Sequence, residues 1–202
     1  HNLWMVVCND TQLEWILKSK PSHKLDVFVK IDSGMGRLGF QEKDSNKAIN
    51  SLENSSNVKN ITLMTHFSSA DNQNSPSTIN QIEQFNNIID SNQNNTSLAN
   101  SAALMAFEKA HSEYTRPGIM LYGSSPFPYS EKFKDLSPAM TLQSSLISIK
   151  EFKSGQSIGY GESYVCKEDT LIGVVAIGYA DGYPRSAQDG TPVFINGGIA
   201  RV

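Results

Sequence analysis

The chain reads as an α/β protein: part of a TIM-type βα-barrel followed by part of a mostly antiparallel β-domain. Three observations predict this. Short apolar runs alternate with helical patterns through residues 1–125. Those runs are apolar on both faces, as strands of a parallel sheet covered by helices are. After Pro126 the alternation stops, and strands follow one another across Gly-bearing turns.

Leu3–Val7 predicts the first strand, and Thr11 is placed to cap a helix holding Leu13, Ile16 and Leu17. Leu25–Ile31 is β-branched and aromatic and ends in the turn-forming Asp32-Ser33-Gly34, so it predicts a second strand. A polar helix over Glu42–Leu52 and a strand over Ile61–Phe67 come next. Thr78–Ile89 is helical, with Ile79, Ile82, Phe85, Ile88 and Ile89 on one face. Thr96–Ala99 predicts a short strand opening into a helix at Asn100-Ser101-Ala102-Ala103, and Arg116–Tyr122 a fifth strand. Five strands in about 125 residues exceed half of an eight-stranded barrel, which takes about 250. The Asn- and Ser-rich stretches 44–60 and 72–100 keep apolar periodicity, so they read as polar helix faces and loops. The segment from Phe127 to Pro138 is a Pro-punctuated connector. Beyond it Met140–Phe152, Thr170–Ile177 and Pro192–Ile195 predict antiparallel strands. The boundary expected near 137 divides a partial βα-barrel, 1–137, expected to hold the ligand site, from a partial C-terminal β-domain, 138–202.

Composition narrows the function. Seventeen Lys and Arg stand against 20 Asp and Glu, for a net charge of −3, so no basic surface for nucleic acid or anionic membrane is indicated. No run approaches 18 uncharged apolar residues, and no positive-then-apolar leader opens the chain, so a cytoplasmic protein is expected. Cys8 and Cys166 lie far apart and offer neither a disulfide framework nor a metal spacing; no metal is expected. The chain opens at His1, runs straight into Leu3–Val7, and stops after a strand-like run at Arg201-Val202. That pattern is expected of a piece of a longer protein.

Chemistry gathers where the predicted strands end. Alternation puts Phe28 and Lys30 on one side of the second strand, with Lys30 at its C-terminal end, the end that faces the active site in a βα-barrel. Gly34 and Gly36 allow a tight path that can bring Arg37 back over the mouth as a carboxylate clamp. A lysine reaching solvent and a surface arginine would fit that segment equally well. His66 ends the next strand, where a hydrogen-bonded structural histidine is the commoner finding. Ser101 opens a helix whose free N–H groups suit a phosphate, although an ordinary cap also explains it. Arg116 can aim a guanidinium inward, and Gly118 lets the backbone approach a ligand. Each signal is weak alone, but one barrel mouth would collect all four strand ends.

Taken in order, KIDSGMGRLGF, THFSSAD, NSAA, RPGIMLYG, IGYGESY and IGYADGYPR resemble the alanine racemase family, from about Leu3 to Val202. The resemblance implies a pyridoxal 5'-phosphate enzyme, a homodimer acting on alanine by a two-base mechanism and supplying D-alanine for peptidoglycan. It implies that Arg116 sits against the cofactor's pyridine nitrogen. His66 would lie against the ring and help hold Arg116. Ser101 with the backbone of Gly118 and Ile119 would receive the phosphate. Arg37 would face the substrate carboxylate, and Lys30 matches a position carbamylated in many members. Tyr160 matches one of the two acid/base groups, delivered from the partner subunit. Asp71 and Tyr179 match positions at the substrate entrance, and Arg185 one farther out.

The other acid/base group in the family is the lysine that binds the cofactor, and none of Lys18, Lys20, Lys24 or Lys30 matches it. The 202 residues alone are therefore expected to be inactive. A broad-specificity racemase on the same fold and a non-catalytic pyridoxal-phosphate-binding relative remain the rival readings. A related decarboxylase barrel fits GYADGYPR and RPGIMLYG less well.

Overall fold

The computed structural model describes residues 3–89, 93–130, 133 and 135–202. The chain forms two compact units, His1–Met140 and Thr141–Val202.

The first unit is a run of parallel βα segments. Strand β1 (Met5–Val7) leads to α1 (Asp10–Lys18), β2 (Leu25–Lys30) to α2 (Glu42–Glu53), β3 (Val58–Met64) to α3 (Ser77–Ile89), and β4 (Asn95–Ser97) to the short α4 (Ser101–Ala106). The strands pair in the order β1-β2-β3-β4, all parallel. Register places Val7, Val29 and Leu63 side by side. All three are buried, and they pack with Leu13, Ile16, Ile49, Leu52, Ile82, Phe85 and Ile88 from the helices. Burying each such side chain is worth about 1.5–3 kcal/mol, so this sheet–helix interface supplies the unit's stability. The opposite sheet face, with Val6 and Phe28 in register across β1 and β2 and Lys30 two residues on from Phe28, is the inner side of the partial barrel.

Several local expectations shift. The α1 cap is Asn9, whose side chain accepts from the Gln12 N–H at 2.9 Å; Thr11 lies inside the first turn. The third strand runs Val58–Met64, so Thr65, His66 and Phe67 lie beyond it, and the fourth ends at Ser97.

Arg116–Tyr122 is no strand. The Arg116 N–H bonds to the Ala99 carbonyl at 2.9 Å, and the chain then turns into a 3₁₀ helix over Ile119–Tyr122. Pro117 has no N–H to give, and those of Gly118 and Met120 go to the Ser101 hydroxyl (2.7 and 3.4 Å), so no ladder can form.

In the second unit, β5 (Leu146–Phe152) pairs antiparallel with β8 (Thr170–Val175). Short β6 (Ser157–Ile158) and β7 (Tyr164–Val165) form a hairpin, and β9 (Pro192–Ile195) pairs with β10 (Gly198–Arg201). The first of these strands begins at Leu146, six residues later than Met140. Among the described residues no helix is long and apolar enough to cross a membrane.

Candidate functional site

Parallel pairing brings the C-terminal ends of β2, β3 and β4 to one edge, and the segments leaving them build the site. Lys30 is the last residue of β2. Next comes a loop closed at its base: the Phe40 N–H donates to the Lys30 carbonyl at 2.8 Å, and the Asp32 N–H to the Phe40 carbonyl at 2.9 Å. Inside it, Asp32 Oδ1 accepts from three N–H groups, those of Gly34 (3.0 Å), Met35 (2.9 Å) and Gly36 (3.0 Å). That carboxylate winds the chain and sets where Arg37 begins. The buried Ser33 hydroxyl lies 2.7 Å from Thr65 Oγ1, tying this loop to the one that carries His66.

Arg116 is held across two strand ends. Its guanidinium donates to the Ser97 carbonyl at 2.8 Å and the Leu98 carbonyl at 3.3 Å, and also to the Ser97 hydroxyl and the Thr65 carbonyl. Its acceptors are neutral carbonyls and a hydroxyl rather than a carboxylate, so the guanidinium is fixed in direction while its charge stays unneutralised. Its hydrogen bonds involve Ser97, Leu98 and Thr65 and not His66, so the ring expected to help hold it makes no hydrogen bond to it.

Lys30, Arg37 and Arg116 make no ion pair among the described residues, and each bears on the histidine. Burial, then Arg116, Lys30 and Arg37, hold the His66 imidazole below its ordinary pKa, so it is neutral at neutral pH. Burial, then Arg37 and Arg116, depress the Lys30 ammonium as well, against weaker support from Cys8 and Asp32. Burial alone pushes Arg116 down. The mouth thus gathers three cationic side chains that no ion pair neutralises among the described residues, with Asp32 acting on Lys30 only weakly, and it suits an anionic ligand.

Ser101 completes the edge. Asn100 caps α4 by accepting the Ala103 N–H at 2.9 Å, which leaves the Ser101 hydroxyl to meet Gly118. Beside these residues, Tyr114 meets Trp4 and Phe28 edge to face and Trp4 meets Phe28 at a tilt, with centroids 5.3–6.1 Å apart. Phe28 and Tyr114 each precede a site cation by two residues, so the rings form an apolar floor.

Lys30, Arg37, His66, Ser101, Arg116, Gly118 and Ile119 therefore belong to one edge of one unit. Asp71 lies in an exposed turn past His66. Tyr160, Tyr179 and Arg185 are in the second unit. Tyr160 starts the 3₁₀ turn between β6 and β7 and is 98% exposed; Tyr179 opens another such turn. Ser97, Thr65, Asp32 and Gln81 shape the site and were not legible as such from motif reading. For Gln81 a signal existed: it falls in register with Phe85 and Ile88 on a buried helix face.

Comparison with known proteins covers the whole chain. The family model "Alanine racemase, N-terminal domain" matches residues 1–126, and "Alanine racemase, C-terminal domain" matches 139–202. An alanine racemase of Azoarcus sp. (strain BH72) is 43% identical over 197 residues, covering 98% of this chain and 55% of the relative. A catabolic alanine racemase of Pseudomonas putida is 45% identical over 199 residues, with 98% and 56% covered. The crystal structure of biosynthetic alanine racemase from Pseudomonas aeruginosa superposes with a TM-score of 0.88 at 40% identity, covering 99% of this chain and 56% of that one. Alanine racemase from Bacillus anthracis with bound L-Ala-P gives 0.80 at 29% identity, over 97% and 53%. The chain spans about half the length of the curated relatives it matches.

Proposed function

The chain belongs to the alanine racemase family, and on that premise we propose that the complete protein is a cytoplasmic homodimer that interconverts L- and D-alanine on pyridoxal 5'-phosphate, feeding D-alanine to peptidoglycan. The observation that carries this is the edge where Lys30, Arg37 and Arg116 gather without an ion pair beside the Ser101–Gly118 pair. That donor set fits the cofactor: a phosphate would take the Ser101 hydroxyl and the Ile119 N–H, and the Gly118 N–H in exchange for its bond to Ser101, while a ring nitrogen would take Arg116. When bound, pyridoxal phosphate supplies the electron-withdrawing ring that makes an amino acid's Cα proton removable.

The chain's own residues do the rest. Arg116 keeps its proton, so a nitrogen facing it stays an unprotonated acceptor; withdrawal is then milder than opposite an Asp, which favours simple return of a proton to Cα. Neutral His66 packs a ring face without adding charge. Arg37 binds the substrate carboxylate as a two-pronged donor. Lys30 has a depressed pKa, which raises the share of neutral amine able to add carbon dioxide. Addition of carbon dioxide to that amine forms an N–C bond and releases one amine proton to solvent, and the resulting carbamate would be an anion that orients Arg37. Tyr160 gives and takes the Cα proton on one face of the substrate. A phenol's ordinary pKa near 10 needs nearby positive charge to work at neutral pH, and the partner subunit's mouth supplies it in this reading. The other face belongs to the cofactor-binding lysine that the family places outside these residues.

The test is Tyr160→Phe in the full-length protein, following α-deuterium exchange from D-alanine. The variant should lose exchange while retaining cofactor. Undiminished exchange would remove Tyr160 from that role, and wild-type protein that holds the cofactor yet exchanges nothing would point to a non-catalytic cofactor binder.

A further inference from the structure

We propose that Gln81, on α3 and outside every motif above, is a positioning residue that sets His66, and with it the face offered to a bound ring; this rests on the cofactor reading just given. The side chain is 3% exposed on a helix face otherwise made of Thr78, Ile82, Phe85 and Ile88. A leucine would pack there without needing partners, whereas a buried amide is tolerable only when its hydrogen bonds are made.

Gln81 makes three, all to one short stretch. Its Oε1 accepts from the Ser68 N–H and the Ser68 hydroxyl, both at 3.0 Å, and its Nε2 donates to the His66 carbonyl at 3.1 Å. The amide's orientation is dictated by its partners, because a peptide N–H can only donate and a carbonyl can only accept. On the other side of His66, the Thr65 N–H donates to the Ser97 carbonyl at 3.2 Å and the Thr65 carbonyl accepts from Arg116. His66 is thus held by the β4 edge before it and by Gln81 after it.

The same side chain meets the neighbouring loop. A Cβ on Gly34 would come within 3.2 Å of Gln81 Cγ, so the Arg37-bearing loop rests on the residue that holds the His66 loop. One buried amide therefore sets the spacing of two functional loops. Neither an aliphatic side chain nor an ionised one supplies both an acceptor for Ser68 and a donor for His66.

The experiment uses full-length protein carrying Gln81→Leu and, separately, Gln81→Met, which keeps length and flexibility. Thr78→Val is the control: it removes a buried hydroxyl one turn away that has no hydrogen-bond partner. Three readouts are taken: cofactor dissociation constant, kcat and KM for alanine, and the His66 imidazole titration by NMR in cofactor-free protein. Both Gln81 variants should bind cofactor about tenfold or more weakly, the equivalent of losing a buried hydrogen bond. Their His66 titration should move up toward the ordinary histidine value as the ring gains solvent. Thr78→Val should match wild type in all three.

An unmoved His66 titration in the folded Gln81→Met protein overturns the inference, as does an equal loss of cofactor affinity in Thr78→Val. If wild-type protein fails to bind pyridoxal phosphate while the His66 titration still shifts in the Gln81 variants, the positioning role stands and the cofactor reading falls.

Discussion

Replacing Asp32 by Ala tests how Arg37 is aimed. One carboxylate oxygen holds three consecutive N–H groups at 2.9–3.0 Å, and nothing else within the Gly34–Gly36 stretch takes its place. Hydrogen bonds to a charged group contribute roughly 1.5–3 kcal/mol each when removed without replacement. Two of the three are solvent-exposed, so water takes over much of their worth, leaving about 2–3 kcal/mol in total. The loop base does not depend on Asp32's side chain, because the Lys30–Phe40 backbone bonds persist. The lost free energy therefore goes into disorder of the loop tip rather than into unfolding. Apparent affinity scales with the populated fraction of the competent loop, so about 2–3 kcal/mol caps the loss at roughly 30- to 150-fold. The full-length Asp32→Ala enzyme is expected to show KM for alanine raised at least about tenfold, within that cap, with cofactor affinity close to wild type. Asp32→Asn, which keeps an oxygen acceptor without the charge, should fall between them. Steady-state kinetics in both directions with a parallel cofactor titration measures this. A KM within about twofold of wild type in a folded Asp32→Ala protein would refute the reasoning.

Arg116→Lys should weaken cofactor binding about tenfold or more, since one ammonium cannot span the acceptors on Ser97, Leu98 and Thr65; a titration of apoprotein with pyridoxal phosphate reads it, and unchanged affinity would count against the assigned role. His66 is held below its ordinary value of 6.5, so below that pH the unfolded chain binds a proton that the folded one resists. Its contribution is whole above about 6.5 and is lost as pH falls through the depressed folded value, so urea midpoints should drop more steeply on acidification in wild type than in His66→Gln. Gly39→Ala should lower stability by at least about 2 kcal/mol on thermal melting, because at φ +126° its Cβ would sit 2.8 Å from the Asp32 nitrogen and 2.9 Å from the Ile31 carbonyl carbon. The 202 residues alone, given pyridoxal phosphate, should not racemise alanine; interconversion by the purified chain would show that the second acid/base group lies among them.

Read by itself, the sequence determined the βα rhythm, the parallel sheet and which segments carry the site, although β3 closes at Met64 and β4 at Ser97, earlier than the motifs imply. Lys30 follows from two-residue alternation in Leu25–Ile31, and His66 and Ser101 follow from what ends or opens an element. These are local facts, set by backbone periodicity and by caps that reach only a few residues. The Arg116–Tyr122 strand failed because its N–H groups are claimed by Ser101, a partner 17 residues away that no local window contains. For the same reason the role of Gln81 is not legible locally: the Ser68 donors and the His66 acceptor of its amide lie on the loop before its helix, 13 and 15 residues upstream. Arg116 is the clearest case. Its residue type announced a cation, but only the folded sheet decided that carbonyls of Thr65, Ser97 and Leu98 would hold it, leaving the charge free for a ligand. Periodicity assigns a residue to a face, whereas satisfying a buried polar group depends on where other strands end, and that is settled only when the sheet assembles.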